Sequence, residues 1–227
     1  LTGCSNHDWR TADRSSMGLA PLVQEEPEAI VQLYAARAVS WRGIFAVHSW
    51  ISVKEKNADH YIVYQVIGWR LYRNQSPVAI ERGVPDGRWF GAEPDLLLTL
   101  KGERAESAIP KIHQAALDYP YQNDYRAWPG PNSNTFISFI IRRTPELGME
   151  LPPTAIGRDW LTSPYIVGLS ESRTGAQLSF LGVLGLTAGL NEGLEVNIVG
   201  LCFGIDFLRP AIKLPLIGRI GMKDKPL

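Results

Sequence analysis

The sequence predicts an α+β protein: an antiparallel sheet with packed helices, followed by a Gly-rich β region at the C-terminus. Residues 43–53 alternate and carry Ile44, Phe45, Val47, Trp50, Ile51 and Val53, as a half-buried strand does. Residues 61–71 repeat that character across a polar turn at 54–59, so the two segments read as a hairpin. From Ala176 onward the chain is apolar and punctuated by Gly, which reads as strands and tight turns.

The remaining elements follow in chain order. Residues 25–36 place Ala29, Ile30, Leu33 and Tyr34 at helical spacing and predict a helix. Residues 77–82 read as a third strand, and 84–94 as a loop holding Asp86-Gly87, Trp89 and Phe90. Residues 103–119 read as a helix interrupted by Pro110, because proline lacks the amide proton a helix interior needs. Residues 119–134 form a loop rich in aromatics, Pro, Gly and Asn. A short apolar helix follows over 135–143 and stops before Pro145.

Composition bounds the function. With 227 residues and 45% hydrophobic content, the chain can bury a full core. Residues 1–24 read as a tether and 25–227 as a single globular domain, with 160–227 as a candidate C-terminal subdomain. Lys plus Arg and Asp plus Glu each number 23, so no net field favours nucleic acid as a partner. No apolar run reaches the ~18–20 residues of a membrane-spanning helix. The two cysteines, Cys4 and Cys202, are too few for a disulfide framework or a thiolate metal site. The histidines, at 7, 48, 60 and 113, show no metal-ligand spacing. No nucleophile elbow, phosphate loop or dinucleotide fingerprint occurs, so no cofactor and no metal are expected.

Leu1-Thr2-Gly3-Cys4 reads as a lipobox, an aliphatic residue and two small residues before the cysteine that receives acyl chains. The polar stretch from Ser5 to Gln24 suits a tether. The expectation is a lipoprotein held at the bacterial cell envelope through Cys4, on the periplasmic face, with its signal segment removed. Ser5 after the cysteine favours the outer membrane in a Gram-negative cell.

Chemistry points to Trp128-Pro129-Gly130-Pro131-Asn132-Ser133-Asn134-Thr135-Phe136. Asn132, Ser133 and Asn134 sit where a loop becomes a helix, and such residues cap orphan amides. The same place suits a nucleophile, with the helix dipole and amide groups holding an oxyanion. Ser133 would attack, and Asn132 or Asn134 would steady the oxyanion. His48, in a strand, is the candidate base, because an imidazole titrates near neutrality. His60, Tyr64 and Gln65 are the candidates for orienting it. The aromatics Trp89, Phe90, Tyr119, Tyr121, Tyr125 and Trp128 suit either a sugar or lipid groove or packing beneath a long loop. Cys202, in apolar surroundings, reads as an inert core thiol.

The segments Trp41-Arg42-Gly43-Ile44-Phe45-Ala46-Val47-His48, 128–136 and the run from Glu192 to Gly221 resemble an uncharacterised bacterial family, domain of unknown function 3750. That likeness implies no activity. His48, then His60, then Asn132-Ser133-Asn134-Thr135-Phe136 also resembles the order of functional residues in permuted papain-like enzymes of the NlpC and lecithin:retinol acyltransferase type. Those enzymes open a helix with Asn-Cys-x-x-Phe. The likeness implies a papain-like core and an acyl-transfer or amide-hydrolysis site acting on a peptidoglycan peptide or a lipid. The sequence departs at the nucleophile, where Ser133 stands in place of cysteine. A hydroxyl needs far stronger activation than a thiol. The site is therefore either a serine hydrolase or a pocket that binds an envelope ligand without turnover.

Overall fold

The computed structural model describes residues 11–162 and 166–223. It is α+β, with two antiparallel sheets and few helices. The first strand, β1 (Ile30–Arg37), takes up most of the segment 25–36 that spacing predicts as a helix. Its side chains from Ile30 to Ala36 are all buried, because β1 lies inside the sheet with both faces covered. An apolar run buried on both faces does not alternate, and periodicity alone cannot separate it from a buried helix.

β2 (Val47–Lys54) and β3 (Ile62–Val66) form the expected hairpin, with Ile51 opposite Tyr64. Both strands are shorter than their β-rich segments, and short 3-10 turns occupy Ser40–Ile44 and Gly68–Arg73. β4 (Val78–Arg82) and β5 (Pro94–Lys101) complete a five-stranded sheet in the order β4-β3-β2-β1-β5.

One face of this sheet carries Val31, Leu33, Ile51, Val53, Tyr64 and Val66 into the main core. Helix α1 (Glu103–Leu117) lays Ala105, Ala108, Ile109, Ile112, Ala115 and Ala116 on that core. Pro110 does not interrupt α1. It lies on the exposed side of the helix, so the hydrogen bond its missing amide proton forgoes faces solvent while the buried stripe stays intact. Helix α2 (Ser133–Arg143) is buried from Ser133 to Ile141 and packs against β2. The opposite face gathers Tyr34, Ala36, Trp50 and Val63 beneath Trp89.

Residues 11–22, read as part of the tether, lie against this second face. Ser16 Oγ donates to Asp86 Oδ1 at 2.7 Å, and the Leu19 amide donates to Asp86 Oδ2 at 2.5 Å. Cys4 lies outside the described residues.

The second sheet is a meander of seven strands: β6 (Val167–Leu169), β7 (Gly175–Phe180), β8 (Leu184–Gly189), β9 (Gly193–Ile198), β10 (Leu201–Asp206), β11 (Ala211–Leu214) and β12 (Gly218–Gly221). Its buried face is polar. Glu195 and Lys213 meet Arg158 and Glu150 there. Among the described residues no helix is long and apolar enough to cross a membrane.

Candidate functional site

The start of α2 is built by Asn132. Its Oδ1 accepts from the Asn134 amide at 3.0 Å and the Thr135 amide at 3.2 Å. Thr135 Oγ1 accepts in return from the Asn132 amide at 3.1 Å, closing a capping box. The cap moves the start of the helix two residues before the expected Thr135. Asn132 Nδ2 donates to the carbonyls of Ala127 and Ile156, at 3.2 and 3.1 Å. Gly157 makes this approach feasible: a Cβ there would lie 2.4 Å from Asn132 Nδ2, and its φ is +101°.

Asn134 ties α2 to β2. Its Nδ2 donates to the Val47 and Ile156 carbonyls at 2.9 and 2.8 Å, and its Oδ1 accepts from Ser49 Oγ at 2.8 Å. Both asparagine side chains, expected to serve an oxyanion, are therefore committed to holding the loop, the helix and the strand together. The amide of Ser133 is different. Among the described residues, it and the Ser133 hydroxyl have no hydrogen-bond partner.

His48 is the second residue of β2, on the face that carries Trp50. Its Nε2–H donates to Gln65 Oε1 at 3.2 Å, and its ring stacks on Trp89 with centroids 3.6 Å apart. With Nε2 so engaged, Nδ1 is the ring's remaining acceptor. Burial drives its pKa down to about 3, against a smaller opposing effect of the Gln65 bond. The imidazole is neutral at any ordinary pH, which makes it a weak base toward a hydroxyl.

His48 and Ser133 line one cavity of about 550 Å³, without a hydrogen bond between them. Most of its wall is apolar. Trp41, Phe45, Trp69, Tyr72, Trp89, Tyr125 and Trp128 supply aromatic faces, and Arg42 is the charged residue in the lining. Among the described residues no carboxylate lines it. Tyr125 is seated against the backbone of Gly68, where a Cβ would lie 2.3 Å from its ring. Trp128 Nε1 donates to the Val199 carbonyl at 3.0 Å, joining this wall to the turn between β9 and β10.

Other expected residues fall elsewhere. His60 lies at the far end of the β2–β3 hairpin, where it bonds Asp59 Oδ1 at 2.5 Å. The register pairs Val53 with Ile62, so His60 sits beyond the opposite end of β2 from His48, some ~20 Å away at ~3.3 Å per residue. Tyr64 points into the helix-side core, toward His113 Nδ1 at 3.3 Å, so Gln65 is the residue that orients His48. Period-two alternation separates these two neighbours. Tyr119 packs in the core on Phe136 and Phe139, and Tyr121 meets Trp160. Phe90 packs edge-on to Trp69.

Trp41 and Arg42 stand in the sequence only as part of the family resemblance, and Trp69 and Tyr72 carry no site signal there. Of the four, only Trp69 lies in a segment read as strand; Trp41, Arg42 and Tyr72 flank those segments, and 3-10 turns carry all four. Cys202 is buried, and burial raises its thiol pKa well above the ordinary value. It accepts from Arg158 Nη2 at 3.2 Å.

A family model described as protein of unknown function (DUF3750) matches residues 28–160, more than half of the 227-residue chain. That span contains β1 to β5, both helices and nearly all of the cavity wall. No curated protein and no solved structure matches the chain.

Proposed function

The chain belongs to this family of unknown function, and we propose that it holds an anionic amphiphile of the cell envelope in the cleft between β2 and the start of α2. The observation that carries this reading is the composition of the lining: aromatic and aliphatic walls, no carboxylate among the described residues, and an exposed arginine at the rim. Apolar walls favour an acyl chain or ring system. Among the described residues the Arg42 guanidinium has no ion-pair partner, which favours a carboxylate or phosphate head. Ser133 and neutral His48 add a donor and an acceptor to the wall. Anchoring through Cys4 would keep such a site beside its ligand.

Four tryptophans in the wall, Trp41, Trp69, Trp89 and Trp128, provide the readout. Titration with a medium-chain fatty acid below its micelle concentration is expected to change their fluorescence saturably. Trp128→Ala should weaken the response. A fluorescence signal that never saturates, or that ignores the chain length of the acid, would refute the reading.

A hydrolase or acyltransferase is the second reading, favoured by the Ser133 hydroxyl and its unpartnered amide at a helix start in a shared cavity with His48. A papain-like core belongs to that reading. It requires His48 to leave Trp89 and meet Ser133 when substrate enters. Covalent labelling by a fluorophosphonate that disappears in both Ser133→Ala and His48→Ala would establish it. Absence of labelling in folded wild type would leave the cleft as a binding site.

A further inference from the structure

The second sheet is built with its apolar side out. Val167 pairs with Leu178, Leu178 with Leu186, Leu186 with Val196 and Val196 with Phe203, so one exposed apolar row crosses most of the sheet. Next to it, Ala188 pairs with Leu194, Leu194 with Ile205, Ile205 with Ile212 and Ile212 with Ile220. The intervening positions face inward and are polar: Gln177, Thr187, Glu195 and Lys213. No charged side chain occupies the outward positions of β6 to β12 among the described residues. An apolar surface this continuous marks an interaction site.

We propose that a second copy of this chain covers the face, so that two sheets pack across a two-fold axis into a dry β-sandwich. The size of the sheet favours this occupant. Seven strands at ~4.8 Å spacing, the central four of six residues at ~3.3 Å and the outer ones shorter, give a face of about 30 by 20 Å at its widest. Its accessible area is of the order of the ~800 Å² per partner that a stable protein interface needs. Two inner faces of apolar side chains are what a β-sandwich core contains. A two-fold axis sets each face against itself, and an uncharged face meets its copy without like-charge repulsion. Insertion in a bilayer is less suited. The strands have at most six residues where a membrane strand needs ~9–11, and the edge strands β6 and β12 would leave backbone groups unpaired in lipid.

The test is sedimentation velocity on the full chain from low to high micromolar concentration. Wild type is expected at twice the chain mass. Val196→Glu, at the centre of the face, should weaken the dimer by about 100-fold or more, since it sets two buried charges near each other. Leu117→Glu, exposed at the end of α1, should leave the dimer intact. Hydroxyl-radical footprinting of wild type needs no variant: oxidation of Phe203 should fall as the dimer forms, while Tyr72 stays reactive. A monomer at every concentration would overturn the proposal, whether its sheet then bound phosphatidylglycerol vesicles or another protein. A dimer in which Phe203 stays as reactive as in the monomer would overturn it equally.

Discussion

At the scale of single residues, His48 and Asn132 define the site in different ways. His48 is buried and neutral, with a pKa near 3 against an ordinary value of 6.5. The unfolded chain takes up a proton that the folded ring refuses. The stability held by the neutral ring is therefore complete above pH 6.5 and is lost as the pH falls toward 3, at about 1.4 kcal/mol per pH unit. Denaturant unfolding of wild type and His48→Gln across this range should give a stability difference that shrinks on acidification. A difference independent of pH would mean that the imidazole is already solvated in the folded state.

Asn132 completes a capping box and also donates to two loop carbonyls. Asn132→Ala should cost about 2 kcal/mol or more, since a cap and buried partners are lost together. Thermal unfolding measures this, and a change within a few tenths of a kcal/mol would show that water replaces the cap. The capping role was legible in the sequence, because an asparagine at a loop-to-helix junction is a signature. The engagement of both amides was not. It depends on Val47, Ala127 and Ile156, which periodicity cannot bring together.

At the scale of elements, alternation in β2 and β3 and the Gly-punctuated C-terminus gave strands where they occur. β1 was misread because a strand buried on both faces has no alternating pattern. Pro110 was read as a break, but a helix tolerates proline where the lost bond faces water and the opposite stripe is packed. The polar face of the second sheet could be seen as scattered acidic residues and no more, because their partner, Arg158, comes from a different segment. Arg158 is 2% exposed and reaches Glu195 at 2.5 Å, Glu150 at 3.2 Å and Glu171 at 3.5 Å. Glu195 is held below the ordinary carboxylate range: burial pushes it up, but Arg158 and Lys213 outweigh that cost. Burial first, and repulsion from Glu195 second, push Glu150 up. Arg158→Met should destabilise the chain by about 3–5 kcal/mol, because it leaves Glu171 buried without its ion-pair partner and Glu150 and Glu195 with Lys213 alone. Unchanged unfolding in denaturant would show that water enters this layer freely.

At the scale of the whole molecule, two features divide the labour. The first sheet and its helices frame an aromatic cleft, and the second sheet turns an apolar face outward. The tie between them is direct, since Trp128 bonds the Val199 carbonyl and Arg37 Nη2 donates to the Leu216 carbonyl at 3.3 Å. The motif at 128–136 identified one wall of the cleft, and His48 another. The rim formed by Trp41, Arg42, Trp69 and Tyr72 emerges only when two 3-10 turns fold toward that motif. Head-group preference is the property by which a cleft built for an anionic amphiphile differs from a merely greasy one. Calorimetric titration of wild type and Arg42→Gln should compare a medium-chain fatty acid with the alcohol of equal length. Wild type is expected to prefer the acid by about tenfold, the value of one charge-assisted contact near 1.4 kcal/mol, and Arg42→Gln to lose the preference while still binding both. Equal affinity of wild type for acid and alcohol, or no saturable heat with either, would contradict binding of an anionic amphiphile.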